Sequence, residues 1–317
     1  MHLYILRRVW QSIPVVIGVT LLVFLMMHMM PVDIVRMMLT EHQAGTLPTA
    51  SGSITDDQIE ELRVRLGLHR PIPVQYLAWL WDVLKGDLGV SWRTGRAVSN
   101  MIRNNARATV ELGVSSLLLG IAFGIPLGIL AAVKQNSWWD SGATVFSVIG
   151  ISMPSFWKGL MLLWLFGLVL GWFPSMGSGT WRHLVLPALT LGIGGMALIT
   201  RLTRGSMVEV LRQDYVTTAR SKGLSERVVT YKHGLRNALI PVITIVGLSL
   251  GRMLSGAVIV ENVFGRPGLG RIAVQAIWDR DFPVVQATVL ILAIAFILGN
   301  LLTDIAYGFV DPRIRYD

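Results

Sequence analysis

Long apolar runs separated by polar stretches of unequal length dominate the chain. A bilayer core takes about 20 mostly apolar residues per helix. On that criterion six spans are predicted: Val9 to Met30, Thr109 to Val133, Gly142 to Leu170 with an interruption near Pro154, Leu184 to about Thr203, Leu239 to Val260, and Val284 to Tyr307. Arg7 and Arg8 ahead of the first run resemble the start of a signal peptide. The run is too long for a signal's apolar region, and Met29-Met30-Pro31 offers no small-residue cleavage site, so the first span is expected to stay uncleaved.

Between the first two spans, Pro31 to Ala108 is too polar to cross and too long for a bare linker. Thr55 and Gln58 carry the spacing of a capping box. Ile59, Leu62 and Leu66 then repeat at helical spacing. After Pro71 and Pro73, a second stretch carries Tyr76, Leu77, Trp79, Leu80, Trp81 and Leu84. Tryptophan and tyrosine favour the headgroup level. Short amphipathic helices on the outer membrane face are expected here. A small cap that only packs on the other helices is an equal alternative.

Composition supports the membrane reading. The chain is 53% hydrophobic and 15% charged, with a mean hydropathy of +0.58. A soluble domain carries about a quarter charged residues, so a soluble globular enzyme is disfavoured, and disorder is excluded. Cysteine is absent, which removes disulfides, thiolate nucleophiles and Cys-ligated metals.

Charge placement then sets orientation. Eight basic residues (Arg201, Arg204, Arg212, Arg220, Lys222, Arg227, Lys232 and Arg236) face only Glu209, Asp214 and Glu226, so this segment holds +5 of the net +9. Pro31 to Ala108 is nearly balanced, and Glu261 to Val284 is balanced. Short loops rich in Lys and Arg stay in the cytoplasm. The 204–236 loop is therefore expected inside. With six spans both termini lie there too, in keeping with Arg7, Arg8, Arg313 and Arg315. A nucleic-acid groove would interleave aromatics with the basic residues, and this loop has only Tyr215 and Tyr231, so no nucleic-acid partner is expected.

Catalytic patterns are missing. None of Lys85, Lys134, Lys158, Lys222 and Lys232 is followed by Ser or Thr, so there is no phosphate loop and the chain is not an ATPase by itself. No His-x-x-x-His pair exists, and no metal site is expected. The Gly247-Leu-Ser249-Leu-Gly251 match to a hydrolase elbow sits inside an apolar span, where helix packing is the expected role.

Within the spans, Gly120, Gly124 and Gly128 recur every four residues and form one small-residue face for helix packing. With Pro126 and Pro154 they suit either a bending bundle or static packing. Ionisable residues at membrane depth are costly and are functional candidates. Lys158 and Arg252 lie mid-span, Glu261 closes the fifth span and Asp304 lies toward the end of the sixth. Lys158, Arg252 and Glu261 are channel candidates, with structural pairing or snorkelling as the alternative.

The most informative stretch runs from Asp214 to Pro241. Thr217, Thr218 and Ala219 are small, Gly223 can end a helix, and the result is a rigid knob on a loop that a partner could push. A plain amphipathic loop helix is the alternative.

This stretch resembles the coupling loop of ABC importer permeases, Glu-Ala-Ala-x-x-x-Gly. Thr217, Thr218 and Ala219 fall on the leading positions and Gly223 on the glycine. Thr218 to Leu224 is similar to the variant in the dipeptide/oligopeptide/nickel branch. So are Leu66 to Pro71, Val74-Gln-Tyr76, Gly86-Asp-Leu-Gly89, Val260-Glu-Asn-Val-Phe-Gly-Arg-Pro-Gly-Leu-Gly270 and the tail Asp311 to Arg315. Two departures stand out: Pro31-Val32-Asp33-Ile34 where the branch has Pro-Gly-Asp-Pro, and Lys158 where an aliphatic residue is expected.

The resemblance implies an all-α polytopic membrane protein with one transmembrane permease domain over 1–317, an external loop region at 31–108 and a coupling loop at 204–236. It implies a bacterial inner-membrane permease subunit forming half of a channel for dipeptides, oligopeptides or similar solutes, with nickel, opine, glutathione or oligosaccharide as alternative cargo. The implied partners are a second homologous permease, two ATP-binding subunits that hold ATP and Mg, and an external substrate-binding protein. The ATPase contact would fall on Tyr215, Thr217, Thr218, Ala219, Lys222, Gly223 and Leu224. An ion-gradient transporter acting alone is the alternative of a different class. It would show inverted repeats and mid-membrane ion sites.

Overall fold

The computed structural model describes residues 2–29, 56–65 and 67–310. Some helical side chains, including those of Gln58, Leu62, Arg252 and Asp304, lie outside the described residues. So do Leu66, the Pro31–Ile34 motif, Thr55 of the capping box, and the tail from Asp311 with Arg313 and Arg315. Among the described residues there is no strand, only one isolated bridge between Val90 and Ala97.

The helices are α1 His2–His28, α2 Asp56–Arg65, α3 Ile72–Leu84, α4 Val98–Val133, α5 Trp138–Ser152, α6 Ser155–Leu162 with a π-helical continuation Leu163–Val169, and α7 Arg182–Val210. They continue with α8 Asp214–Ser221, the short α9 Glu226–Val228 running into π-helical Val229–Leu235, α10 Arg236–Val263, α11 Leu269–Trp278 and α12 Phe282–Val310.

Among the described residues, four helical stretches are long and apolar enough to cross a bilayer: Trp10–His28, Val98–Val133, Arg182–Val210 and Phe282–Leu301. The pair Trp138–Ser152 and Ser155–Val169, bent by 111°, makes a fifth if it is one broken span. Its break sits where the interruption was expected. Proline disfavours the helical region for the residue before it, and Met153 is extended at φ −73°, ψ 131°. α10 covers the predicted fifth run.

Three predicted boundaries shift. α4 begins at Val98 rather than Thr109, and α7 continues to Val210, past the expected end near Thr203. Arg201 and Arg204 therefore belong to a helix rather than to a loop. Pro241, expected to mark the return to the membrane, lies inside α10, which already starts at Arg236. The physical reason is common to all: polar residues continue a helix past its apolar stretch at little cost, so hydropathy marks the apolar part and not the helix end.

The chain divides into two compact units. One is centred on Ala106–Arg271. Its core forms where α4, α7 and α10 meet: Leu112, Leu186, Ala188, Ala257 and Val260, closed by Phe264. A second cluster joins Ile129 and Ala132 of α4 to Met207 of α7 and Ala238 of α10. α7 also packs against α5 and α6.

The other unit combines Ile13–Asn105 with Ile272–Ala293. Tyr76 of α3 is buried, sits edge-on to Phe24 and is hydrogen-bonded to Thr20 of α1 at 2.9 Å. Leu77, Trp81 and Leu84 leave an exposed apolar stripe along α3. Asp281 is buried and accepts from Ser91 Oγ at 2.5 Å and from the Trp92 N–H at 3.0 Å. Trp92 stacks on Phe282, and Arg93 pairs with Asp279.

Candidate functional site

The Asp214–Pro241 stretch folds as a short helix standing on a buried patch. Val216 and Ala219 point inward and pack with Val229 and Leu211. Asp214 occupies the first turn, where a negative charge suits the helix dipole. The helix ends in a Schellman motif. Gly223 adopts φ +77°, its N–H donates to the Arg220 carbonyl at 2.9 Å, and the Leu224 N–H donates to the Ala219 carbonyl at 3.4 Å. Arg220 pairs with Glu226 at 2.9 Å and ties the helix end to α9. Asn237 Nδ2 donates to Tyr215 Oη at 2.8 Å, joining α8 to the start of α10.

The candidate residues separate by this geometry. Tyr215, Thr217, Thr218, Lys222, Gly223 and Leu224 are exposed along one face and the end of α8. Ala219 is buried, so its small size serves the packing beneath rather than the outer face. Beyond α9 the backbone runs through a π-helical segment into α10, which carries the knob on a continuous helical stalk.

The three glycines of α4 face α7. A Cβ on Gly124 would sit 2.9 Å from Ile199, and one on Gly128 2.5 Å from Thr203, while Gly120 is closest to the α7 backbone at Met196, at 3.5 Å. Only glycine permits this approach at positions 124 and 128.

Of the three channel candidates, Lys158 and Glu261 have described side chains, and these have separate partners. Lys158 is buried in α6, and its Nζ donates to the Gly150 carbonyl at 3.0 Å, across the break from α5. Arg252 lies on α10, with its side chain outside the described residues. Glu261 is fully buried. Its carboxylate accepts from Thr109 Oγ1 at 2.6 Å, the Gly270 N–H at 2.8 Å and the Arg271 N–H at 3.1 Å. It thereby caps α11 and clamps α10 to α4, an enclosed position rather than one lining an open path. A side chain at Gly268 or Gly270 would collide with Glu261 or Val258, which explains the glycines of that motif.

Three partners were not legible as such. Thr109 both donates to Glu261 and accepts the Leu269 N–H at 2.8 Å. Arg266 is buried and pairs with Glu111 at 3.0 Å. Arg204 grips Asp140 through two nitrogens, one at 2.8 Å, while the Asn136 N–H donates to the same carboxylate at 3.0 Å. Arg204 is thus neutralised within the fold. The only sequence signal for this pair is an Asp at the polar edge of an apolar run.

Comparisons with known proteins agree in kind. Residues 124–316 match the family described as "Binding-protein-dependent transport system inner membrane component", and residues 1–113 match "Binding-prot-dependent transport system membrane comp, N-term". The chain is 42% identical over 313 residues to a glutathione transport system permease protein of Salmonella choleraesuis, covering 99% of each. It is 43% identical over 314 residues to the glutathione transport system permease protein of Pectobacterium atrosepticum, again covering 99% of each. A dipeptide transport system permease protein of Alkalihalophilus pseudofirmus is 40% identical over 341 residues, with 99% of both covered. A solved chain of the MetNI methionine ABC transporter, in an inward-facing conformation, superposes with a TM-score of 0.56 at 19% identity, covering 67% of this chain and 96% of that one. This likeness is one of fold.

Proposed function

This chain belongs to the family of binding-protein-dependent transport system inner membrane components, as a permease subunit of an ABC importer, and on that premise we propose that it forms half of a channel for short peptides in a bacterial inner membrane. Six spans with both termini in the cytoplasm give the topology, and the six predicted apolar runs support it. A second, homologous permease supplies the other half of the channel. An external binding protein delivers cargo, and two ATP-binding subunits hold ATP and Mg.

The observation that carries this reading is α8: a short helix with an exposed face, seated on Val216 and Ala219 and ended sharply at Gly223. A buried base with an outward face suits docking into a groove on a partner and passing its movement into α7 and α10. Tyr215, Thr217, Thr218, Lys222, Gly223 and Leu224 make that contact, and Ala219 holds the base. Gly120, Gly124 and Gly128 let α4 follow α7 closely. Lys158 and Arg252 are the mid-membrane charges that tune cargo passage, while Glu261 holds the outer end of α10. The relatives' glutathione and dipeptide cargoes support a small peptide as substrate.

The test is reconstitution of the chain with its neighbouring permease, ATP-binding subunits and binding protein in liposomes. ATP-dependent uptake of a tripeptide is expected only from the complete set. Uptake by the purified chain alone, driven by an ion gradient, would replace this reading with that of a secondary transporter.

A further inference from the structure

The second unit holds an open-sided cavity of about 460 Å³ between the end of α1, the loop before α3, α3 itself, the Asp87–Trp92 loop and the start of α12. That volume lies within the range of small-molecule sites, about 300–1,000 Å³. Its walls combine aromatic surface with polar groups that the fold leaves unused. Gln286 of α12 is 7% exposed and lines the cavity, yet its side-chain amide makes no hydrogen bond among the described residues. The indole N–H of Trp79, in the same lining, is also buried and unpaired. Buried polar groups are nearly always satisfied; the Trp79 N–H on α3 is not, and the Gln286 amide on α12, which also lacks a partner among the described residues, is open to a ligand in the cavity.

The groups specify what that ligand is. A primary amide offers a donor and an acceptor side by side, the complement of a peptide N–H and C=O. Asp82 and Arg70, both exposed and both lining the cavity, make no side-chain bond among the described residues, and present opposite charges to the two ends of a zwitterion. Phe282, buried and stacked on Trp92 at 5.3 Å, holds the Trp92 side of the cavity in place. The opposite wall is already fixed. The His28 ring is bonded to the Phe24 carbonyl at 2.8 Å and to Gln75 Oε1 at 3.0 Å, and Gln75 Nε2 donates to the Leu68 and Arg70 carbonyls at 3.2 and 2.8 Å. A site held in this way needs little reorganisation to bind.

We infer that this cavity is a peptide-binding site on the permease itself, taking a short zwitterionic peptide with its backbone amide on Gln286, its ammonium at Asp82 and its carboxylate at Arg70. It rests on the peptide-importer reading for its place at the outer ends of α1 and α12, where cargo arrives. The permease therefore offers cargo a second foothold after the binding protein.

The experiment measures equilibrium binding of radiolabelled trialanine to the assembled transporter, with permeases and ATP-binding subunits in nanodiscs and no binding protein. Saturable binding is expected, weakened about tenfold by Gln286→Leu through loss of the paired amide. Asp82→Asn, an exposed and conservative change, should weaken trialanine about threefold and abolish the preference for trialanine over its N-acetyl derivative. Wild-type affinity in both variants, or absence of saturable binding, would overturn the inference. Equal competition by glycerophosphoethanolamine would assign the cavity to a lipid headgroup and overturn it as well. ATP-dependent trialanine uptake with the binding protein present is measured in parallel. Uptake without binding at this cavity removes the site and leaves the importer reading intact, whereas binding without any ATP-dependent uptake does the reverse.

Discussion

Gly223 and Glu261 are the residues on which local structure turns most sharply. Gly223 holds φ +77°, a region costing an L-residue about 1–2 kcal/mol. Proline there could not adopt that angle and would also lose the N–H donated to Arg220. Gly223→Pro is expected to leave ATP hydrolysis by the assembled complex running while peptide uptake collapses, measured as the ratio of the two rates in proteoliposomes. Normal uptake would count against α8 as the transmission element. Glu261 is a different case. Replacing it with Leu leaves Thr109 and two backbone N–H groups without their acceptor, at about 1–3 kcal/mol for each unsatisfied group. Glu261→Leu should lower the Tm of the detergent-solubilised protein clearly, and Glu261→Gln less, because an amide oxygen still accepts. Equal melting of wild type and both variants would show that the clamp contributes nothing. The motif around Glu261 was visible in the chain, and its acid stood out as a costly charge. Its enclosure was not, because Thr109 lies far away in sequence and carries no signal of its own.

At the scale of elements, the α4–α7 crossing and the α5–α7 ion pair make opposite demands. The crossing needs nothing beyond hydrogen at Gly124 and Gly128. Gly128→Leu would overpack against Thr203 and the Thr200 carbonyl, at a cost of about 1–3 kcal/mol or a displaced helix. The expected result is poor assembly with partner subunits by size-exclusion chromatography, while Gly113→Leu, with open space around it, assembles normally. The four-residue spacing announced this face, since a period close to the helical repeat puts all three glycines on one side. The ion pair was not announced. Arg204→Ala strands an Asp140 side chain that is 7% exposed, whereas Asp140→Ala strands an Arg204 side chain that is 31% exposed and can reach water. Removing one partner of a fully buried pair costs about 3–5 kcal/mol, and this half-buried pair falls below that. Arg204→Ala should therefore destabilise more than Asp140→Ala, and the double variant should recover part of the loss. A double-mutant cycle on thermal stability checks this, and strict additivity would argue that the pair is inert.

For the molecule as a whole, the charge pattern predicts which side of the membrane each surface meets. The chain has no cysteine, so single introduced thiols report against a blank background. Lys222→Cys is expected to react with a membrane-impermeant maleimide only in inside-out vesicles, and Trp81→Cys only from the external side of intact cells. The opposite pattern would invert the topology and remove the assigned role of α8. The exposed stripe of Leu77, Trp81 and Leu84 fits an outer headgroup layer, where tryptophan sits well.

The chain by itself determined its solvent and its class, because crossing lipid requires apolar helical runs that no local packing can disguise. It also marked the Pro154 break, the α8 knob with Gly223 at its end, and the glycine face of α4, all of which depend on residues near one another in sequence. Only the tertiary structure decided what the charges do. Arg204 is neutralised by Asp140, Glu261 is enclosed by Thr109 and the start of α11, and Lys158 is bonded to a backbone carbonyl. Each outcome depends on which distant atoms surround a charge, and the energy of a charge in a low-dielectric interior is set by those neighbours.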